Sequence, residues 1–121
     1  MDFYFLSSNV AYSRPAPSED GLKATFKKMV DVIRESCSKR HPLDDKKFQE
    51  CATVRHSAMN WYFTTLFKYR DTKGINSIEF KKGIDCAEKY SPTVNEPGRK
   101  MALERADWLN VKSCYQKALN R

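Results

Sequence analysis

Four cysteines, Cys37, Cys51, Cys86 and Cys114, are the residues of this 121-residue chain with the plainest chemical potential. A thiol can pair with another thiol, ligate a metal as thiolate, or fill a core as a small hydrophobe. Four of them permit three disulfide connectivities. The midpoint of Cys37 and Cys51 is residue 44, inside the His41–Asp45 turn between two predicted helices. Residues equidistant from the turn of an antiparallel hairpin lie side by side. Cys37 follows Ile33 by four and Cys51 follows Phe48 by three, so both fall on apolar stripes, within reach of each other for a disulfide. The midpoint of Cys86 and Cys114 is residue 100, a few residues past the Ser91–Gly98 loop, and a fourth helix longer than the third would absorb that offset. The nested pairing Cys37–Cys114 with Cys51–Cys86 stays open, because Cys37 and Cys114 are symmetric about the Gly74–Asn76 turn. So does a reading in which all four are reduced and buried. Zinc is the remaining use. Cys37, His41, Cys51 and His56 run C-x3-H-x9-C-x4-H, but Cys51 and His56 are five apart and point different ways, and the tight C-x2-C knuckle is missing.

Little else is arranged for chemistry. The two histidines, His41 and His56, are the only ready general bases near neutral pH. His41 precedes a helix-breaking proline, and His56 sits beside Arg55 on a face expected to be exposed. There is no G-x-S-x-G, P-loop, dinucleotide-binding glycine motif or H-E-x-x-H, and with four glycines a backbone phosphate cradle is not expected. The stretch from Leu66 to Ile84 has the outline of a shortened EF-hand. Counting from Asp71, however, Lys73, Ile75 and Lys82 occupy positions that must supply oxygen ligands, so it reads as a capped turn. The chain is therefore expected to be non-enzymatic and to hold no cofactor or metal.

The elements that position the cysteines are helices. Arg14-Pro15-Ala16-Pro17 closes an extended arm over residues 1–18, since the prolines disfavour helix before them. The first helix is predicted over Glu19–Lys39, with Leu22, Phe26, Met29, Val30, Ile33 and Cys37 at three- and four-residue steps. Pro42 ends it, and Asp44-Asp45 restarts a second helix to about Arg70. Trp61-Tyr62-Phe63 surrounds that helix with aromatic rings and argues for a central, buried position. Gly74 caps its end, and Asn76 or Ser77 opens a third helix to about Tyr90 carrying Phe80, Ile84 and Ala87 on one face. A fourth helix is predicted over Arg99–Leu119, with Met101, Trp108, Val111, Cys114, Tyr115 and Leu119 as its stripe. The expectation is an all-α fold: two antiparallel hairpins or a four-helix bundle in one domain over 19–121, preceded by the arm.

Charge bears on partners. Twenty-two basic residues against fifteen acids give a net +7, which suits acidic protein faces, anionic lipid headgroups or nucleic acid. Lys23, Lys27, Lys28, Arg34, Lys39, Arg40, Lys46 and Lys47 form a candidate basic face along the first helix and its turn, with Asp31, Glu35, Asp44 and Asp45 as the acids that would balance it. No nucleic-acid-reading motif accompanies the charge. No apolar run approaches the length that spans a bilayer. Met1-Asp2-Phe3-Tyr4-Phe5-Leu6 does not read as a signal peptide, lacking a basic n-region and a long enough apolar stretch.

Helical hairpins with symmetric cysteines and no secretory signal resemble the twin-cysteine (CHCH-like) proteins of the mitochondrial intermembrane space. The Cys37–Cys51 spacing is similar to that of the hinge subunit of the cytochrome bc1 complex. The chain departs from the family's usual pair of C-x9-C motifs, and from the hinge subunit's acidity. The resemblance implies a non-catalytic accessory subunit of a larger assembly, facing the intermembrane space in a respiratory-chain complex. The apolar arm residues Phe3, Tyr4, Phe5, Leu6 and Tyr12 would then lie in a partner's groove. Two alternatives belong to other classes: a nucleic-acid-binding or ribonucleoprotein subunit of the cytoplasm or nucleus with reduced cysteines, and a helical small-ligand carrier with an apolar cavity between the second and fourth helices.

Overall fold

Each helix begins and ends where its local chemistry dictates. In the computed structural model, backbone is described for residues 19–95 and 99–120, and side chains for 25–92 and 102–120. Helix α1 spans Glu19–Arg40, with Lys39 and Arg40 in its last turn, where cations favour the carbonyl end of the helix dipole. Asp44 then opens α2, Asp45–Lys73, its carboxylate accepting from the Lys47 N–H at 3.0 Å. Gly74, at φ +90°, closes α2 by donating to the Tyr69 and Arg70 carbonyls. Ser77 opens α3, Ile78–Lys89, accepting from the Phe80 N–H. Asp107 opens α4, Trp108–Leu119, accepting from the Asn110 N–H.

The fold is all-α, as expected, with one departure. The predicted helix over Arg99–Leu119 does not start at Arg99. Strand β1, Thr93–Asn95, pairs antiparallel with β2, Arg99–Met101, placing Val94 opposite Lys100. A turn of 3-10 helix over Leu103–Arg105 follows, with Leu103 buried. The Asp107 N–H then donates to the Tyr90 carbonyl, returning the chain to the end of α3 before α4 begins. Asp107 is a helix cap followed at once by the buried Trp108, so residues 99–107 are a strand, a 3-10 turn and a cap in place of the expected α-helix. The offset of residue 100 from the expected loop thus comes from the extra segment 102–107, not from a longer fourth helix.

The helices pair as two hairpins around α2. Phe26 of α1 meets Phe63 of α2 edge-on at 5.2 Å, and Cys37 meets Cys51, so α1 runs antiparallel to α2. Tyr62 reaches α3 through its hydroxyl, which donates to the Gly83 carbonyl at 2.9 Å, and reaches α4 through the rings of Trp108 and Tyr115. Cys51, Ala52, Ala58, Met59, Tyr62, Phe63 and Leu66 are all buried on one broad face of α2, and half-buried Trp61 and Phe67 flank it.

The closest approach is at Gly83. A Cβ there would lie 2.6 Å from Leu66 Cδ1 and under 3 Å from two ring atoms of Tyr115. Glycine therefore lets α3 settle against both α2 and α4, and the Tyr115 hydroxyl donates to the Glu79 carbonyl at 2.9 Å on the same face. Gly83→Ala is expected to destabilise the protein by about 1–3 kcal/mol, the usual range for overpacking. Urea unfolding of the two proteins checks it, and an unchanged midpoint contradicts the close packing.

Candidate functional site: two clasped hairpins and their basic surface

The cysteines, spread from position 37 to position 114, are joined in two pairs by the hairpins. Cys37 bonds Cys51 across α1 and α2, and Cys86 bonds Cys114 across α3 and α4, each with Cα atoms 5.8 Å apart. The pairing symmetric about residue 44 is the one formed, and the nested pairing is not. Each bridge ties one hairpin to itself. Cys37, Cys51 and Cys86 are buried, while Cys114 is half-buried. With their sulfurs bonded to each other, Cys37 and Cys51 have no thiolate to offer zinc. Among the described residues no cluster of three or more metal-ligating side chains occurs.

Beside the first bridge lies Arg55. Its guanidinium Nη1 donates to the Cys51 carbonyl at 3.1 Å and contacts Cys51 Sγ at 3.2 Å. Burial lowers the Arg55 pKa from its ordinary value, repulsion from Arg40 lowers it further, and Asp107 acts in the opposite direction. His56, expected on an exposed face, is half-buried, and its Nε2 is shielded with no hydrogen-bond partner among the described residues. The reason is its spacing: His56 is four residues after buried Ala52 and three before buried Met59, on the inward side of α2.

The candidate basic face is partly internally balanced. Lys27 pairs with Asp31 at 3.1 Å and Lys39 with Glu35 at 3.7 Å, both solvent-exposed pairs one turn apart. Arg34 lies over the Phe48 ring, 5.3 Å from its centre. Lys28, Arg40, Lys46 and Lys47 are exposed and make no ion pair among the described residues. The side chain of Lys23, and the arm residues Phe3, Tyr4, Phe5, Leu6 and Tyr12, lie outside the described residues.

The space between α2 and α4, where a carrier would need a cavity, is filled by rings. Phe63 and Tyr62 contact Trp108 at 5.5 and 5.8 Å, and Trp61 contacts Tyr115 at 5.7 Å. Burial raises the Tyr115 pKa well above its ordinary value, consistent with a hydroxyl sealed against the α3 backbone. Two open depressions, of about 350 and 490 Å³, flank the outer side of α4 on either side of Ser113 and Lys117. Their walls are mixed, with Asn110 and Lys117 beside Tyr90 and Ala118 in one, and Gln116 and Asn120 beside Trp61 and Leu119 in the other.

The stretch with an EF-hand outline is a capped turn. Asp71 bonds Arg70, and Thr72 donates to the Lys68 carbonyl. Lys73 reaches across the turn to Glu79 at 3.0 Å, so a cation occupies the place a calcium ligand would need. That hydrogen bond holds the Lys73 pKa above, and the Glu79 pKa below, its ordinary value.

Comparison with protein-family models, with curated proteins and with solved structures returns no match.

Two outcomes follow from the clasps and the turn. Closing loops of about 15 and 29 residues, the bridges contribute on the order of 3 and 3.6 kcal/mol in the chain-entropy model. Paired Cys→Ser replacement of either bridge should lower the unfolding free energy by amounts of that order, with the Cys86–Cys114 loss the larger. Equal stability of reduced and oxidised protein would contradict this. For the Lys73–Glu79 pair, the depressed Glu79 pKa makes its contribution present above the unfolded-state value and lost as pH falls through the folded one. The raised Lys73 pKa keeps the contribution intact until strongly alkaline pH. The thermal-midpoint gap between wild type and E79Q at neutral pH should therefore close on acidification, and a gap that persists at acid pH would assign it to another cause.

Proposed function

We propose that this chain is a non-catalytic accessory subunit of a larger protein assembly in an oxidising compartment, with the mitochondrial intermembrane space and a respiratory-chain complex as its setting. The observation that carries the reading is the pair of bridges, one clasping each helical hairpin. Disulfides persist where thiols are not kept reduced, and a chain of this size does not need them to bury a core. Their use on both hairpins supports a life in such a compartment. The nucleic-acid alternative requires reduced cysteines, and the two bridges count against it.

An accessory role also suits the way the surface is built. The aromatic residues are spent on packing α2 against α4, and the Arg55 guanidinium is spent on Cys51 of its own helix. What remains for recognition is the outer surface, with its unpaired cations, and the apolar arm. In this reading acidic protein faces meet Lys28, Arg40, Lys46 and Lys47, and the arm supplies apolar anchorage.

The test is native-gel migration of the protein from its own cells, beside a variant lacking residues 1–12. The full chain should migrate with an assembly far heavier than its own 14.1 kDa. The truncated chain should be released from that assembly while keeping its helical circular dichroism. A full-length protein that migrates as a monomer overturns the accessory role, and a truncated chain that stays in the assembly overturns the arm's part in it.

A further inference from the structure

The turn between α2 and α3 carries two isoleucines that the core does not use. Ile75 is 53% and Ile78 is 64% exposed, three residues apart, while the aromatic and aliphatic residues around them on both helices are buried or half-buried. They are held there. Gly74, in a backbone conformation that side-chain-bearing residues rarely adopt, donates to two carbonyls of α2. The Ser77 hydroxyl donates to the Gly74 carbonyl at 2.7 Å and accepts from the Phe80 N–H. Lys73 and Glu79 pair across the turn. Turning either isoleucine inward would break caps on both helices, so the exposure is built into the turn.

Charge decides what such a tip fits. Between residues 68 and 81 stand Lys68, Arg70, Lys73 and Lys81 against Asp71 and Glu79. Both acids are engaged, Asp71 by Arg70 and Glu79 by Lys73. Lys68 and Lys81 are exposed and make no ion pair among the described residues. The tip is therefore a small apolar projection with a positive rim. A stable protein interface buries on the order of 1,000 Å² or more, far beyond two isoleucine side chains. A lipid surface asks for less: apolar side chains that enter the headgroup boundary, and cations that sit at its negative potential. No described helix is long and apolar enough to cross a membrane, so attachment would be from one side. The opposite pole has a different character. Leu43 is 98% exposed there, but it stands alone and is followed at once by Asp44 and Asp45.

We infer that the Ile75–Ile78 turn, with Lys68 and Lys81 at its rim, is a docking tip for an anionic lipid surface. The inference does not depend on the accessory-subunit reading, because it concerns the isolated, disulfide-bonded chain. Sedimentation with vesicles of equimolar phosphatidylserine and phosphatidylcholine, against vesicles of phosphatidylcholine alone, tests it. The wild type should pellet with the anionic vesicles only, and added salt should release it. I75S/I78S should bind about tenfold more weakly or worse, since both apolar anchors are gone. K68E/K81E should lose the preference for phosphatidylserine, and L43S should bind as the wild type does. Circular dichroism establishes that the variants are folded, and if the double serine variant is not, K68E/K81E decides. A wild type left in the supernatant, the result expected of a tip that meets protein instead, overturns the inference. So does undiminished binding by I75S/I78S or K68E/K81E, equal pelleting with phosphatidylcholine alone, or a loss that follows L43S.

Discussion

The structure depends on the packing of one face of α3 against two helices at once, at Gly83. With no Cβ in the way, Leu66 of α2 and the Tyr115 ring of α4 close over the same point of the α3 backbone. Two phenol hydroxyls then become part of the backbone hydrogen bonding: Tyr62 serves the carbonyl of Gly83 and Tyr115 that of Glu79. A buried tyrosine must find a partner for its hydroxyl, and here both find one on the same helix. The Trp108 and Phe63 rings fill the space beside them, and Phe26 of α1 extends the cluster to the first hairpin. The Cys37–Cys51 bridge lies away from this centre and fastens the first hairpin, whereas Cys86–Cys114 lies beside it, Cys86 one turn beyond Gly83 and Cys114 next to Tyr115.

Much of this is legible in the sequence. The helix boundaries follow from Pro42, Asp44, Gly74 and Ser77, residues whose capping chemistry is local. The central position of α2 follows from rings that surround it, and the Cys37–Cys51 bridge from symmetry about a short turn. The sequence suggests helix from Arg99 onward because Arg99–Ala106 has no proline or glycine to forbid it. What decides its conformation is pairing of Arg99–Met101 with Thr93–Asn95, together with the Asp107 N–H returning to the Tyr90 carbonyl, and neither contact is local. The neighbour Arg55 suggests solvent for His56, whereas its three- and four-residue spacing to Met59 and Ala52 sets it inward.

The surface was harder to read than the core. A row of basic residues in sequence does not distinguish Lys27, which is satisfied one turn away by Asp31, from Lys28, which is not. Nor do Ile75 and Ile78 stand out in sequence, since Ile78 opens a helix with buried Phe80 two residues on. Their exposure emerges only when the caps fix how the turn is presented. Under the proposed function, recognition falls to these outward side chains.

The most direct test of this account is peptide mapping under non-reducing conditions, on protein taken from its native source with free thiols blocked at lysis. The account predicts two linked peptides, one joining Cys37 to Cys51 and the other Cys86 to Cys114, and no blocked cysteine. Four blocked thiols would contradict the oxidising compartment on which the proposed function stands. Links from Cys37 to Cys114 and from Cys51 to Cys86 would contradict the arrangement of the hairpins itself.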